Sequence, residues 1–533
     1  AAIEAEDLPH VIDICVSLDG LPLSIELAAA QLRHLSLDEL VVRLDQRFEI
    51  LRHGRGKRVR RQASLQAVLE DAWAMIDDQE RELLRQLAAF PSAFGVEDVE
   101  AIGEGIEVGV PTFTLAGLVD RSLVISDGHG RHRLLETVKL FARQRWDQEP
   151  DPDLYLERHT SWVLGSLGAV EPQEWFTSFE VLAWASRRYV DHRSVEDRLA
   201  AAGRTGELTA LLRSLSFAYT YGTGTRASAA IERIERYLDT LDLAERERGI
   251  LNLVAAGAGL PGRRPDWIEN GSSRAVPLLR ADGSAEELAA ALMIASWMTV
   301  FRDLDGAIAM LEEARSLAEQ SGSSALADAA LGYIAGHNAV NGKVEESLGG
   351  LVELETRLGD RELDYARSLY ELFVSAVLVA SDPGGSLEAI QRLTKEWKDI
   401  QGLDFASSFS GPGLLICSCV AHATNSDVEA TRRLLVESEE MSRLTSNDDG
   451  LPDLLLPPAA LAMTLGDLDK ARRWLTAVRH SPKPTQNFQL TIIYRQLRGE
   501  VGLQDDSPLD SMDIQEVYAE AKAWMDSLEI GGG

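Results

Sequence analysis

Cysteine, basic charge and long apolar runs are all scarce in this chain of 533 residues, and each shortage excludes something. Three cysteines, Cys15, Cys417 and Cys419, cannot supply a disulfide framework, which points to a reducing, cytoplasmic setting. Cys417 and Cys419 lie in the apolar run 414–420 without a second ligand pair, so they read as core rather than as a metal site. No apolar stretch reaches the roughly 18 residues a membrane span requires, and no signal peptide opens the chain. Lys and Arg number 53 against 85 Asp and Glu, a formal net charge of −32, so neither nucleic acid nor an anionic membrane is an expected direct partner. One segment breaks that acidity: Arg52-His53-Gly54-Arg55-Gly56-Lys57-Arg58-Val59-Arg60-Arg61 carries six formal positive charges and no acid. A basic run with glycines reads as a solvated linker, with a phosphate or nucleic-acid contact as the alternative.

Catalytic phrases are missing as well. A phosphate-binding loop needs Gly-x4-Gly-Lys-Ser/Thr, whose backbone amides surround the phosphates while the hydroxyl reaches Mg²⁺. The nearest phrase, Gly336 to Val344, has one residue too many before Gly342-Lys343, ends in Val and falls at an inter-helix turn. No His/Cys/Asp cluster has metal-ligand spacing and no Gly-x-Ser-x-Gly nucleophile phrase occurs. The chain alone is therefore expected not to be an enzyme, to hold no metal and to carry no cofactor.

What is present is helix, at a length that calls for two or three folded units. The expected fold is mainly all-α. A helical arm occupies 1–51, where Gly20 closes one helix and Pro22 opens the next. The basic linker spans 52–62. In 63–150 several helices lead to a strand over 122–126, a turn at Asp127-Gly128-His129-Gly130 and a second strand over 131–134, which together make a winged helix. Irregular helical pairs fill 151–280. Repeats occupy 281–505: small residues open the second helix of each pair at 307, 347, 389, 430 and 471, a period near 41 that means a TPR-like α-solenoid superhelix. A capping helix and tail fill 506–533. The chain opens inside an apparent helix and without Met, and is expected to be a piece of a larger protein.

Four phrases occur in one order: Gly20-Leu21-Pro22-Leu23-Ser24-Ile25-Glu26-Leu27-Ala28-Ala29, Arg61-Gln62-Ala63-Ser64-Leu65, Leu118-Val119-Asp120-Arg121-Ser122-Leu123-Val124 and Arg133-Leu134-Leu135-Glu136-Thr137-Val138. In that order they resemble the bacterial STAND-type signalling ATPases, relatives of NB-ARC proteins, in which a nucleotide-binding core is followed by a helical arm, a winged helix and a repeat sensor. The resemblance implies that this chain has the arm, winged helix and sensor without the core. It implies that Gly20 and Pro22 face the adenine of ADP or ATP, bound with Mg in the full-length parent, and that His132 stands where related proteins place the His of a Met-His-Asp triplet against the ADP phosphate. Both neighbours of His132 are arginine here, a departure from that triplet. The helices could equally use Gly20 and Pro22 for plain packing, and His132 could be a surface residue of the wing.

First helices of stacked pairs line a concave face, so Trp297, Tyr333, His337, Tyr370 and His422 are candidates for a ligand or partner groove, with inter-repeat packing as the other reading. The resemblance implies that an inducer or protein partner on this groove is coupled through the winged helix to a nucleotide switch, usually for transcriptional regulation. The implied partners are the nucleotide-binding core of the same protein and, with nucleotide bound, further copies of it. A TPR-like interaction scaffold without a switch, or the regulatory tail of a nucleotidyl cyclase, would share these helices.

Overall fold

A computed structural model describes residues 76–103, 110–121, 123–128, 130–151, 153–168, 187–221, 224–259, 264–300, 302–359, 410–444, 451–480, 488–503 and 513–528, with isolated positions between them. The arm over 1–51 with Gly20 and Pro22, the linker over 52–62 and the repeat that begins near 387 lie outside these stretches. The chain divides into two compact units, Ala1–Ser166 with Val190–Val195, and Leu167–Tyr189 with Glu196–Gly533.

In the first unit the described elements are α1 (Asp78–Leu87), β1 (Phe94–Gly95), α2 (Val96–Gly103), α3 (Pro111–Asp120), β2 (Ile125–Ser126), β3 (Arg131–Arg133), α4 (Glu136–Arg143) and α5 (Leu154–Gly168). Helix α1 starts at a capping box: Glu80 N–H donates to Asp77 Oδ1 at 2.8 Å and Asp77 N–H to Glu80 Oε2 at 3.0 Å, so two otherwise orphaned amides are satisfied. Pro111 opens α3 in the first turn, where its missing N–H is no loss. The two-stranded hairpin expected from sequence is one strand short. The sheet has the order β1-β3-β2, all antiparallel, with His132 opposite both Phe94 and Ser126. Gly128 and Gly130 hold φ of 78° and 80°, which the tight β2–β3 turn requires. Leu83, Leu87, Phe90, Phe94, Val99, Leu118, Val138 and Phe141 share one core beneath this sheet.

That core extends beyond residue 150. Tyr155 joins it, its carbonyl accepts from Gln86 Nε2 at 3.2 Å, and its hydroxyl donates to Glu82 Oε2 at 3.0 Å. The first half of α5 therefore belongs with the winged helix, past the boundary the sequence suggested.

The second unit is helical throughout its described residues: α6 (Tyr189–Ala201, which begins in both units), α7 (Thr205–Ser214), α8 (Ser216–Tyr221), α9 (Gly224–Thr240), α10 (Glu245–Ala258), α11 (Pro265–Asp282), α12 (Ala285–Thr299), α13 (Leu304–Gln320), α14 (Ser324–Val340), α15 (Val344–Leu358), α16 (Ser410–Thr424), α17 (Val428–Leu444), α18 (Leu456–Thr464), α19 (Leu468–His480), α20 (Phe488–Glu500) and α21 (Ile514–Ser527). Helices α12–α13, α14–α15, α16–α17 and α18–α19 pack as antiparallel-style neighbours, and first helices also touch one another, α12 with α14 and α16 with α18. Second helices begin at 304, 344, 428 and 468. The small residues that marked the period, Ala307, Ser347, Ala430 and Ala471, are buried, as close helix approach requires.

The repeats also share their turns. Asp303, Asp427 and Asp467 each accept an amide N–H of the following first turn, from Gly306 at 2.9 Å, Ala430 at 3.0 Å and Lys470 at 3.3 Å. One residue before two of these caps, or at the equivalent place, the backbone turns left-handed: Gly342 (φ 76°), Ser426 (φ 61°) and Gly466 (φ 85°). Among the described residues no helix is long and apolar enough to cross a membrane.

Candidate functional site

The candidate residues fall in two places, the strand histidine of the wing and the aromatic set on the first helices. His132 sits on the central strand β3. Its ring lies over that of Phe94 with centroids 6.3 Å apart and planes at 17°, and its Nδ1 is buried with no hydrogen-bond partner among the described residues. Of the two flanking arginines, Arg131 donates through its guanidinium to the Ala93 carbonyl and through its amide to Asp127 Oδ1 at 3.1 Å, so it ties the wing to the strand beside it. Arg133 is exposed. The departure from the Met-His-Asp triplet therefore has a structural use on one side and places an exposed cation on the other.

The aromatic set does not line an open groove. Trp297, Tyr333, His337 and His422 are 3%, 5%, 0% and 8% exposed. Trp297 and Tyr333 meet at 5.9 Å, Tyr333 meets His337 at 6.2 Å and Phe373 at 6.3 Å, and His337 Nε2 pairs with Ser296 Oγ at 3.1 Å. These rings join α12 to α14 and to the next repeat. Burial pushes the His337 imidazole down to about 3, so it is neutral at physiological pH. His422 bridges Asp427 Oδ2 at 3.0 Å and Gln391 at 3.3 Å, which fixes the turn ahead of α17. Tyr370 packs against Leu331, Leu354, Leu358 and Ala366. The groove assignment is corrected accordingly: first helices α12 and α14 are buried on nearly every side, and an aromatic placed on them meets the neighbouring repeat.

A cluster that sequence spacing did not reveal lies in the first unit. Asp191 Oδ2 accepts from Ser92 Oγ at 2.7 Å and its Oδ1 pairs with His159 Nε2 at 3.1 Å, while the His159 ring meets Phe90 edge-on at 5.1 Å. Serine, acid and histidine are together, but the acid stands between the other two, so the imidazole does not face the hydroxyl and the group lacks the order of a Ser-His-Asp relay. It acts as a buried staple. Burial raises the Asp191 carboxyl, the bonds from His159 and Ser92 outweigh it, and the net shift is downward. The residues are 99 and 32 apart in sequence, which is why no motif announced them.

The face a DNA-reading winged helix would present is α3. Its exposed side carries Phe113, 76% exposed, with Val110 just ahead of it at 56%, then Ala116 and Asp120. No cation stands on that side until Arg121, whose guanidinium contacts Glu80 at 3.1 Å.

Residues 76–147 match the winged helix-turn-helix domain family. This region is a winged helix-turn-helix domain. Over 157 residues the chain is 36% identical to a Mycobacterium tuberculosis protein named "Putative HTH-type transcriptional regulator Rv0890c", covering 28% of this chain and 18% of that protein. Over 164 residues it is 34% identical to "Uncharacterized protein Rv0894" of the same species, covering 30% of this chain and 42% of that one. The chain thus spans less than half the length of these curated relatives. Among solved structures it is similar to the Pyrococcus horikoshii STAND protein PH0952, described as a signal transduction ATPase with a tetratricopeptide repeat sensor: TM-score 0.41, 12% identity, 95% of this chain and 75% of that one. The winged helix domain, the helical repeats and the regulator relatives agree with a regulatory role.

Proposed function

We propose that this chain is the regulatory and sensor portion of a STAND-type ATPase, with the repeats binding an inducer and the winged helix passing that event to a nucleotide switch in the full-length protein. The observation that carries the reading is the winged helix itself. It is a complete domain on its own three-stranded sheet, yet its α3 face is apolar and acidic where a DNA reader needs cations to meet phosphate. An apolar tip of Val110 and Phe113 is suited to protein contact, which favours an internal coupling role over direct promoter binding. Transcriptional output would then come from another part of the longer protein.

In this reading His132, with its unpaired buried Nδ1, is the wing's contribution to ADP, and Gly20 and Pro22 form the adenine wall. ADP or ATP with Mg, and the nucleotide-binding core, belong to the parent. An inducer shifts the closed form to the open form only to the extent that it binds the open form more tightly. In this reading arm, winged helix, leading pairs, repeats and cap follow one another, with the winged helix running past 150 to take in the first half of α5.

The test is ADP retention by the full-length protein and its Pro22→Ala and His132→Ala variants. Faster ADP loss in both is expected; unchanged retention in both removes the nucleotide roles. Calorimetry on this chain alone should give no ATP binding in the micromolar range. The scaffold reading would be favoured by a parent that retains no nucleotide at all.

A further inference from the structure

Between α16, α18 and α20 lies a cavity of about 340 Å³, at the small end of the roughly 300–1,000 Å³ typical of ligand pockets. One part of its lining is apolar: Val420 from α16, Ala460 and Met463 from α18, Ile493 and Leu497 from α20. Four polar side chains reach it, Thr424, Thr464, Gln496 and Glu500. Most of their hydrogens are already engaged, one N–H of Gln496 excepted. Thr424 Oγ1 donates to the Val420 and Ala421 carbonyls at 3.0 Å, Thr464 Oγ1 to the Ala460 carbonyl at 2.9 Å, and Gln496 Nε2 to Glu500 Oε1 at 2.8 Å. What remains for a ligand is mainly acceptors, one carboxylate and the second amide hydrogen of Gln496. Among the described residues no Lys, Arg or His lines the cavity and Glu500 has no cation partner.

We propose that this cavity binds a small cationic amphiphile, an apolar body carrying one ammonium or amidinium group. The body would sit against Val420, Met463 and Ile493. The head would donate to Glu500 and to the lone pairs of Thr424 and Thr464. An anionic ligand is disfavoured by the Glu500 charge, with only the second Gln496 N–H left to donate to it. The proposal rests on the reading of the repeats as a sensor, and it moves the ligand site from the buried aromatics of α12 and α14 to the apolar cleft farther along the array.

The experiment titrates the chain with 4-phenylbutylamine, 4-phenylbutan-1-ol and 4-phenylbutyrate, followed by ligand-observed NMR and calorimetry. Because Glu500 is solvent-exposed, its charge should favour the amine over the alcohol by about three- to fivefold in Kd at low salt, less at high salt. The carboxylate should bind weakest. Glu500→Gln should make amine and alcohol equal, and Thr464→Trp, at an exposed position on the cavity rim, should remove both. Equal amine and alcohol binding in the unmodified chain, a preference that survives Glu500→Gln, or no amine binding at millimolar concentration would each overturn the proposal. ADP retention separates the two readings. Amine binding without any effect on ADP release in the full-length protein leaves the cavity assignment standing and sinks the switch; an inducible switch with no amine binding does the reverse.

Discussion

Mild acid should weaken the second unit through His337. The side chain is fully buried on α14, between Tyr333 and Ser296, and burial holds its proton affinity down to about 3, against about 6.5 for an open imidazole. Below pH 6.5 the unfolded chain takes up a proton at this position and the folded chain does not, so stability falls as pH falls and levels off only near the folded value. Between pH 7.5 and pH 5 the loss works out at about 2 kcal/mol, and it stays near that figure for any folded value under about 4.5. The assay compares denaturant midpoints of the chain and of His337→Gln across this range, so that the remaining titrating groups cancel. The native chain should lose about 2 kcal/mol more than the variant, a shift of a few degrees if read as a melting temperature. Carbon-13 histidine NMR gives a second readout: of the ten histidines, His337 should show no titration down to pH 5. Parallel pH profiles for the two proteins would refute the buried-neutral assignment.

Three further outcomes follow from the same geometry. Gly336→Ala places a Cβ at 2.4 Å from the Phe373 ring, so it should destabilise by about 1–3 kcal/mol in thermal melts, although alanine in an unhindered helix would stabilise; a gain in stability would mean that α14 and Phe373 do not approach so closely. Ser426→Gly relieves a left-handed residue at the turn where Gly342 and Gly466 stand in sister repeats, and should raise stability by up to about 1 kcal/mol, read from the denaturation midpoint. Fluorescence anisotropy with a labelled duplex should detect no binding at roughly 0.15 M salt, because α3 brings no cations to the phosphates; tight, steeply salt-dependent binding would show that the winged helix reads DNA directly.

The repeat period was legible because the repeats carry similar local instructions, the Asp cap being replaced by Lys343 in one of them. A small residue sits where two helices press together and an Asp caps the second helix, as at Asp303–Ala307, Asp427–Ala430 and Asp467–Ala471. The wing was legible from Gly128 and Gly130, whose positive φ marks the turn. Its third strand was not, since Phe94–Gly95 is two residues long, follows Pro91 and has no room to display an alternation. The groove aromatics were misplaced for a different reason. Helix α14 buries residues around its whole circumference, so its composition offers no polar face against which an inner, ligand-facing side could be told from an inter-repeat side.

The same circumferential burial limits what the repeats can hold. Helix α20 touches α14 and α16 as well as its neighbour α18, so first helices from distant repeats meet one another directly. A trough wide enough for a folded partner or an extended peptide would need these helices to stand apart, with exposed polar residues along them. Where they do leave space, between α16, α18 and α20, the volume is about 340 Å³, which suits a small molecule. A small ligand wedged among three first helices can change their spacing, and spacing along stacked repeats is what a solenoid transmits to its ends. Among the described residues the space between these first helices is of small-molecule size, and replacing Ala460 by a larger residue should hold α18 away from α16 and α20, a change visible as altered hydrogen exchange in α16 and α20.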